Sequence, residues 1–251
     1  MCRETGTPPI EERRARIQMI SPDGGIPAPL SLFFRMDREL LEIVARTLQV
    51  SCIATLISVV IGVPLGAALA LKEFRGRGFV ISLVNFGMGL PPVVVGLITW
   101  LLLSRYGPLG FLRLLYTPAA MVIAQSIIAS PIVAGFTVAA VGSVNPGLKL
   151  QILALGANPL QYLMLLLREA RLGLLAAVIA GFGGVISEVG ASMMVGGNVR
   201  GYTRVLTTAT VLEVSKGNFE LASALSTVLL VVSFTITAVL THLQQKRGRR
   251  A

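Results

Sequence analysis

The chain has 251 residues, of which 54% are apolar and only 14% are charged, and its formal net charge is +10. Soluble domains carry about 25% charged residues, and a soluble chain this apolar would expose large hydrophobic patches and aggregate. The composition therefore excludes an ordinary soluble protein and indicates an integral membrane protein. Its basic residues stand in short groups between apolar runs, which is typical of membrane topology signals, so we expect no nucleic-acid partner.

The first 39 residues form a polar leader. They are rich in Pro and Gly and contain no apolar core, so they are not a secretory signal. We expect residues 1–39 to be poorly ordered and separate from a membrane domain at 40–243. Met19 and Met36 are alternatives to Met1 as the start of the protein.

Five apolar runs are long enough to cross a membrane, which takes about 20 residues in a helix. The sequence therefore predicts an all-α membrane domain with five transmembrane helices, at about 48–71, 79–103, 118–142, 172–196 and 221–241. The amphipathic stretch at 30–48 either lies in the membrane interface or extends the first helix. Residues 244–251 form a basic tail.

Lysine and arginine are divided unequally between the two sides of this topology. One side, which includes the connections at 72–77 and 143–171 and the C-terminal tail, carries ten of these residues, against five on the other side. Because cytoplasmic loops are enriched in Lys and Arg, we predict a cytoplasmic C-terminus and an external connection at 198–220. The six arginines of the leader argue against this orientation, because it places the N-terminus outside.

The connection at 143–171 is unusually long. An Asn-Pro-Gly sequence at 145–147 breaks the third helix, and an amphipathic run follows it. Gly156 permits a sharp turn, and an Asn-Pro pair at 158–159 begins a second helix with proline at its first position. A helix–glycine–helix knob on the cytoplasmic face fits a groove on a soluble partner.

This segment resembles the coupling loop of type I ABC importer permeases, although Leu-Gln-Ile at 150–152 replaces the Glu-Ala-Ala of the family and Arg-Glu-Ala at 168–170 stands where the family often has Leu-Pro. The resemblance implies an all-α permease fold in which the knob binds a separate ATPase subunit. The alternative for this segment alone is an ordinary interfacial loop. The residues that the resemblance assigns to coupling are Leu155, Gly156, Ala157, Asn158 and Pro159.

Three further segments resemble the tungstate and molybdate permeases. Residues 89–97, with the outer loop at 105–110, are similar to the second helix of that family, residues 186–198 resemble the signature of its tungstate branch, and residues 201–208 extend the match. The resemblance covers about residues 40–243. It implies a plasma-membrane importer permease for an oxyanion, with tungstate as the first expectation and molybdate or sulfate as alternatives.

Breaks within the predicted helices mark a candidate pathway. Pro91 and Pro92 remove two backbone donors and bend the second helix, and such breaks survive in a membrane only where protein or a water-filled cavity covers the freed groups. Glu188 is the only acid deep in a predicted span, which makes it a functional candidate. We expect Glu188 to accept hydrogen bonds from freed amides beside Gly190, or to be protonated, rather than to bind an anion.

Other polar residues and glycines surround this point. The remaining pathway or gating candidates, for each of which capping or packing is the alternative role, are Ser187, Ser192, Asn198 and Thr203. The glycines that we expect to allow close helix packing are Gly181, Gly183, Gly184, Gly190, Gly196 and Gly197.

The sequence lacks the Gly-rich loop with Gly-Lys-Ser/Thr that binds ATP phosphates, and it has no Cys/His cluster for a metal. We therefore expect neither a catalytic residue nor a cofactor nor a metal in this chain. The expected partners are an ABC ATPase, an extracytoplasmic substrate-binding protein, a second copy of the chain and the lipid bilayer. A channel that needs no ATPase, or a membrane-embedded enzyme, is the alternative from another class.

Overall fold

A computed structural model describes residues 38–248, and it contains ten α-helices and one 3₁₀ turn in that part of the chain. In chain order they are α1 (Arg38–Leu71), α2 (Arg77–Met88), α3 (Pro92–Leu103), the 3₁₀ turn (Gly110–Leu112), α4 (Pro118–Gly142), α5 (Pro146–Ala154), α6 (Pro159–Glu169), α7 (Arg171–Ile186), α8 (Gly190–Gly196), α9 (Leu206–Ser215) and α10 (Phe219–Gly248). The all-α prediction is confirmed. The leader up to residue 37 and the last three residues of the tail lie outside the described residues.

In the described part of the chain, five units are long and apolar enough to cross a membrane when each bent helix pair is taken as one span. Three of them are single helices, α1, α4 and α10. The other two are helix pairs, α2 with α3 bent by 99° and α7 with α8 bent by 58°. They correspond to the five predicted spans, but the second and fourth spans are broken rather than continuous. The bend in the second falls at the predicted Pro91-Pro92 step.

The most extensive helix contact joins α1 and α4. α1 already begins at Arg38, so the amphipathic stretch, as far as it is described, extends the first span. Gly62 and Gly66 lie one turn apart on its face toward α4, in the small-xxx-small pattern of membrane helix pairs. A Cβ added at Gly66 would lie 2.5 Å from the carbonyl oxygen of Ala134. The two backbones therefore approach so closely that only glycine fits.

The helix ends meet in two groups. At one end, a buried apolar cluster joins the end of α4 to α5 and α6, with the end of α1 and the start of α7 packed against it. The Gln244 side chain of α10 donates to the carbonyl of Leu172 there, at 2.9 Å. At the other end, the Thr47 hydroxyl accepts from the backbone N–H of Leu206 at 2.9 Å. The basic connections thus gather at one end, as the alternating topology predicts.

The predicted external connection at 198–220 contains the helix α9. Leu206 and Ala209 of α9 are buried in a cluster with α1 and α10. Glu213 is also buried, and a hydrogen bond of 2.8 Å from Lys216 holds the pKa of its carboxyl below the ordinary value. The sequence does not predict this helix, because ten residues are too few for a span and its threonines interrupt the apolar pattern.

The contact between α1 and α4 gives a prediction for stability. Gly66→Ala places a methyl group against the α4 backbone, so we expect it to destabilise the folded protein by about 1–3 kcal/mol. Gly183→Ala is the matched control, because Gly183 lies in α7 and a Cβ added there meets nothing within 4 Å. Thermal unfolding of the purified protein in detergent measures both changes. Equal stability of the two variants would contradict the close packing.

Candidate functional site

The long basic connection folds into a knob of α5, a glycine turn and α6. The side-chain oxygen of Asn145 accepts from the backbone N–H of Gly147 at 2.8 Å and begins α5. Gly156 has a φ of +75°, in the left-handed region that favours glycine. Asn158 and Gln161 form a reciprocal capping box at the start of α6, with bonds of 2.8 and 3.0 Å. The helix–glycine–helix predicted from the sequence is therefore present.

The knob has an apolar inner side and an apolar outer side. Its inner residues Ile152 and Leu166 are buried against the end of α4. At the tip, Leu155 is 87% exposed. Exposed apolar surface of this kind marks a site of contact with another protein or with lipid. The other large apolar residues exposed on the knob are Leu150, Leu153, Leu160, Met164 and Leu165.

The break between α2 and α3 brings α3 against α8. Pro92 is the first residue of α3, a position where a helix needs no backbone donor, and the carbonyl of Pro91 accepts from Val94 at 2.9 Å. A Cβ added at Gly96 would lie 2.7 Å from the Cα of Ala191 in α8. The two prolines thus position α3 and leave one of its faces exposed and apolar; the residues of that face are Val93, Val94, Leu97, Ile98, Leu101 and Leu102.

Glu188 lies at the break between α7 and α8 and is buried. Its carboxylate oxygen Oε1 accepts from the backbone N–H of Ala191 at 2.9 Å, and its own carbonyl accepts from the Thr207 hydroxyl at 3.1 Å. Gly190 follows at a point where an added Cβ would lie 2.8 Å from Val93 of α3. The carboxylate is therefore placed to satisfy an amide that the helix break leaves free; its part in transport stays a prediction.

Asn198 and Thr203 shape the chain that follows α8. The Thr203 hydroxyl donates to the carbonyl of Gly196 at 2.6 Å and accepts from the N–H of Val199 at 2.9 Å. The Asn198 side chain accepts from the Thr208 hydroxyl at 3.0 Å. These contacts favour the capping role for both residues over a direct place in the pathway.

The two serine candidates differ in position. Ser187 is exposed, and its hydroxyl donates to the carbonyl of Gly183 within α7 at 2.8 Å. Ser192 is fully buried, and its hydroxyl accepts from the side-chain amide of Gln125 in α4 at 2.8 Å. Gln125 was not among the residues predicted for the pathway. The available signal was its amide, the only one in the span at 118–142.

Tyr116 anchors the other end of α8. Its backbone N–H donates to the carbonyl of Val195 at 2.9 Å, and its hydroxyl accepts from the indole N–H of Trp100 at 3.3 Å. A Cβ added at Gly197 would lie 2.7 Å from the Tyr116 ring.

Of the glycines expected to allow close packing, Gly183 was wrongly included, because an added Cβ there meets nothing within 4 Å.

The comparisons with known proteins agree with this architecture. The family model described as "Binding-protein-dependent transport system inner membrane component" matches residues 62–249. A tungstate uptake system permease protein, TupB of Peptoclostridium acidaminophilum, is 39% identical over 88% of this chain and 97% of its own length. A probable anion ABC transporter permease of Haloferax volcanii is 40% identical over 80% of this chain and 88% of its own.

A solved structure has the same fold. The bacterial ABC transporter involved in the import of alginate, an acidic polysaccharide, contains a chain that superposes with a TM-score of 0.73 at 17% identity. The match covers 94% of this chain and 90% of that one. At this identity it shows the fold alone. Together with the family match, it establishes that the chain belongs to the family of inner membrane components of binding-protein-dependent transport systems, as a membrane-spanning permease subunit with the type I ABC importer fold.

Proposed function

We propose that this permease is the membrane subunit of an ATP-driven importer for an oxyanion, with tungstate as its substrate. The observation that carries the proposal is the similarity to a tungstate uptake permease over nearly the whole length of both chains. Tungstate and molybdate have the same charge and nearly the same size, so the choice between them is made by the substrate-binding protein rather than by this subunit.

In this proposal, a separate ATPase subunit supplies the energy for transport. The chain has no Gly-rich phosphate loop of its own, and the knob presents exposed leucines, Leu155 foremost, to a soluble protein. An ATPase subunit bound there would push the knob. Because Ile152 and Leu166 tie the knob to the ends of α1, α4 and α7, its movement is passed to the spanning helices.

Two copies of the permease form the pathway, each with one ATPase subunit on its knob. The support for this is the exposed apolar face of α3, which a second copy or lipid must cover.

The basic end of the bundle faces the cytoplasm. Single cysteines introduced at positions 201 and 247 test this orientation. We expect a reagent added outside intact cells to label position 201 but not position 247.

Reconstitution tests the substrate and the need for an ATPase. The permease is placed in liposomes with its ATPase and its substrate-binding protein, and uptake of tungstate, molybdate and sulfate is measured. We expect uptake of tungstate that requires ATP and is competed by molybdate. Uptake that continues without the ATPase would instead indicate a channel, and uptake of sulfate alone would contradict the proposed substrate.

The coupling role predicts a defect for Gly156→Val. Valine resists the positive φ of this turn, and a strained backbone of this kind costs about 1–3 kcal/mol. We therefore expect transport-linked ATP hydrolysis to fall by about tenfold. Gly78→Val is the control, since Gly78 is an exposed glycine of α2 with open space around it and no positive φ. Full coupling in an inserted, assembled Gly156→Val variant would rule the coupling role out.

The structural role of Glu188 predicts different results for two substitutions. A carboxylate touching a dianion is repelled by about 4 kcal/mol per unit charge at an effective dielectric near 20, too much for a transient substrate site. Glu188→Gln keeps an oxygen for the N–H of Ala191, so we expect it to retain most transport. Glu188→Ala leaves that N–H unpaired at a cost of about 1–3 kcal/mol, so stability or coupling should fall.

Both Glu188 variants are compared for thermal stability and for uptake in the reconstituted system. If Glu188→Gln were as inactive as Glu188→Ala while both proteins remained stable and assembled, the negative charge itself would be required. The carboxylate would then take part in substrate movement or proton transfer, and the structural role would be wrong.

A further inference from the structure

The half-helix α8 depends on its neighbours for its position. It has only seven residues, and a helix of that length is unstable by itself. Its first turn is held by the Glu188 carboxylate and its last by the backbone of Tyr116. Both of these contacts lie near its ends, and the rest of α8 packs against α3 and α4.

α4 supplies a polar contact to α8 beside the packing of α8 on α3. The Gln125 side-chain N–H donates to the Ser192 hydroxyl at 2.8 Å, and both residues are buried. One turn away, a Cβ added at Gly196 would lie 2.8 Å from the sulfur of Met121. Residues 121 and 125 are four apart, as are 192 and 196, so the two contacts lie on one face of two antiparallel helices. In the described part of the chain, only the Gln125 bond joins a side chain of α8 to a spanning helix by a hydrogen bond.

This interface leaves hydrogen-bonding capacity unused. The carboxamide oxygen of Gln125 is buried without a partner, and so is the hydroxyl of Thr99 on α3. Thr99 stands between Val95 and Leu103, on the α3 face that packs in the same buried cluster as α4 and α8. An unpaired buried acceptor and an unpaired buried hydroxyl destabilise the arrangement that contains them. The arrangement of α3, α4 and α8 seen here therefore leaves two buried polar atoms without a hydrogen-bond partner.

We propose that Gln125 is a positioning residue for transport: its bond to Ser192 holds α8 in the register seen here, and this bond breaks when the pathway changes its access from one side to the other. Packed helix interfaces switch between discrete arrangements. The unpaired oxygen of Gln125 and the unpaired hydroxyl of Thr99 supply polar partners for a second arrangement. The proposal rests on the proposed function only in that the permease must alternate between two states.

The experiment removes each side of the bond and then both. Gln125→Met keeps the length of the side chain without its amide, and Ser192→Ala removes the acceptor. Ser130→Ala is the control, because the Ser130 hydroxyl donates within α4, to the carbonyl of Ser126 at 2.6 Å. In the complex with the ATPase, basal hydrolysis is compared with hydrolysis stimulated by the loaded binding protein.

We expect Gln125→Met and Ser192→Ala to raise basal hydrolysis by about three- to tenfold, which is the effect of losing one hydrogen bond between membrane helices. Ser130→Ala should leave it unchanged. The double variant should resemble either single variant, because both substitutions remove the same bond. Additive effects in the double variant, or basal hydrolysis at the wild-type level in both single variants, would overturn the proposal.

A second measurement needs neither ATPase nor substrate. Trp100 is the only tryptophan of the chain, and its indole donates to Tyr116, whose backbone holds the end of α8. Its fluorescence therefore reports the position of α8 in the permease alone. We expect Gln125→Met and Ser192→Ala to shift the Trp100 emission in the same direction, and Ser130→Ala to leave it in place. An unshifted spectrum in both variants would overturn the proposal, whereas a wild-type complex that transports no oxyanion would count only against the proposed function.

Discussion

The backbone groups freed by a helix break inside a membrane domain must be covered by protein or by a water-filled cavity, because lipid offers them no hydrogen-bond partner. The rest of this structure depends on how the break between α7 and α8 meets that constraint. The Glu188 carboxylate accepts from the backbone N–H of Ala191, and at the other end of α8 the Thr203 hydroxyl donates to the carbonyl of Gly196. The second break, between α2 and α3, uses another solution, because a proline at the first position of α3 has no donor to satisfy.

These solutions divide the molecule into a firm part and an adjustable part. α1 and α4 pack backbone against backbone through Gly62 and Gly66, where no side chain can be inserted. α8, by contrast, is held by a few hydrogen bonds and by glycine contacts with α3 and α4. A short helix held in this way can change its register without rebuilding the pair of helices behind it. The device resembles the discontinuous helices that other transporters place at their substrate sites.

The knob lies at the basic end of the bundle and packs against α4, which also contacts the adjustable part. Its outer leucines are exposed, while Ile152 and Leu166 are buried among the ends of α1, α4 and α7. α4 therefore contacts both the knob and α8, through its last turn and through Gln125 respectively. If the knob binds an ATPase as proposed, α4 is the helix that would pass its movement to α8.

Much of this protein is determined by local sequence. The apolar runs predict the five spans, the proline pair predicts the bend of the second, and asparagine, proline and glycine predict the knob with its turn at Gly156. Each of these follows from the preference of a residue for a backbone conformation or for lipid, and such preferences act over a few residues. The family is likewise legible in short segments such as 186–198.

The tertiary structure decided the rest. It buried Leu206 and Ala209 of α9 against α1 and α10, gave Asn198 and Thr203 capping contacts, and paired Gln125 with Ser192 across 67 positions of the chain. The sequence shows these polar residues but not their partners, because a polar side chain near an apolar run has the same local pattern whether it faces a pathway, a helix end or another helix. Which partner it meets depends on the packing of helices far apart in the chain, and only the folded bundle fixes that packing.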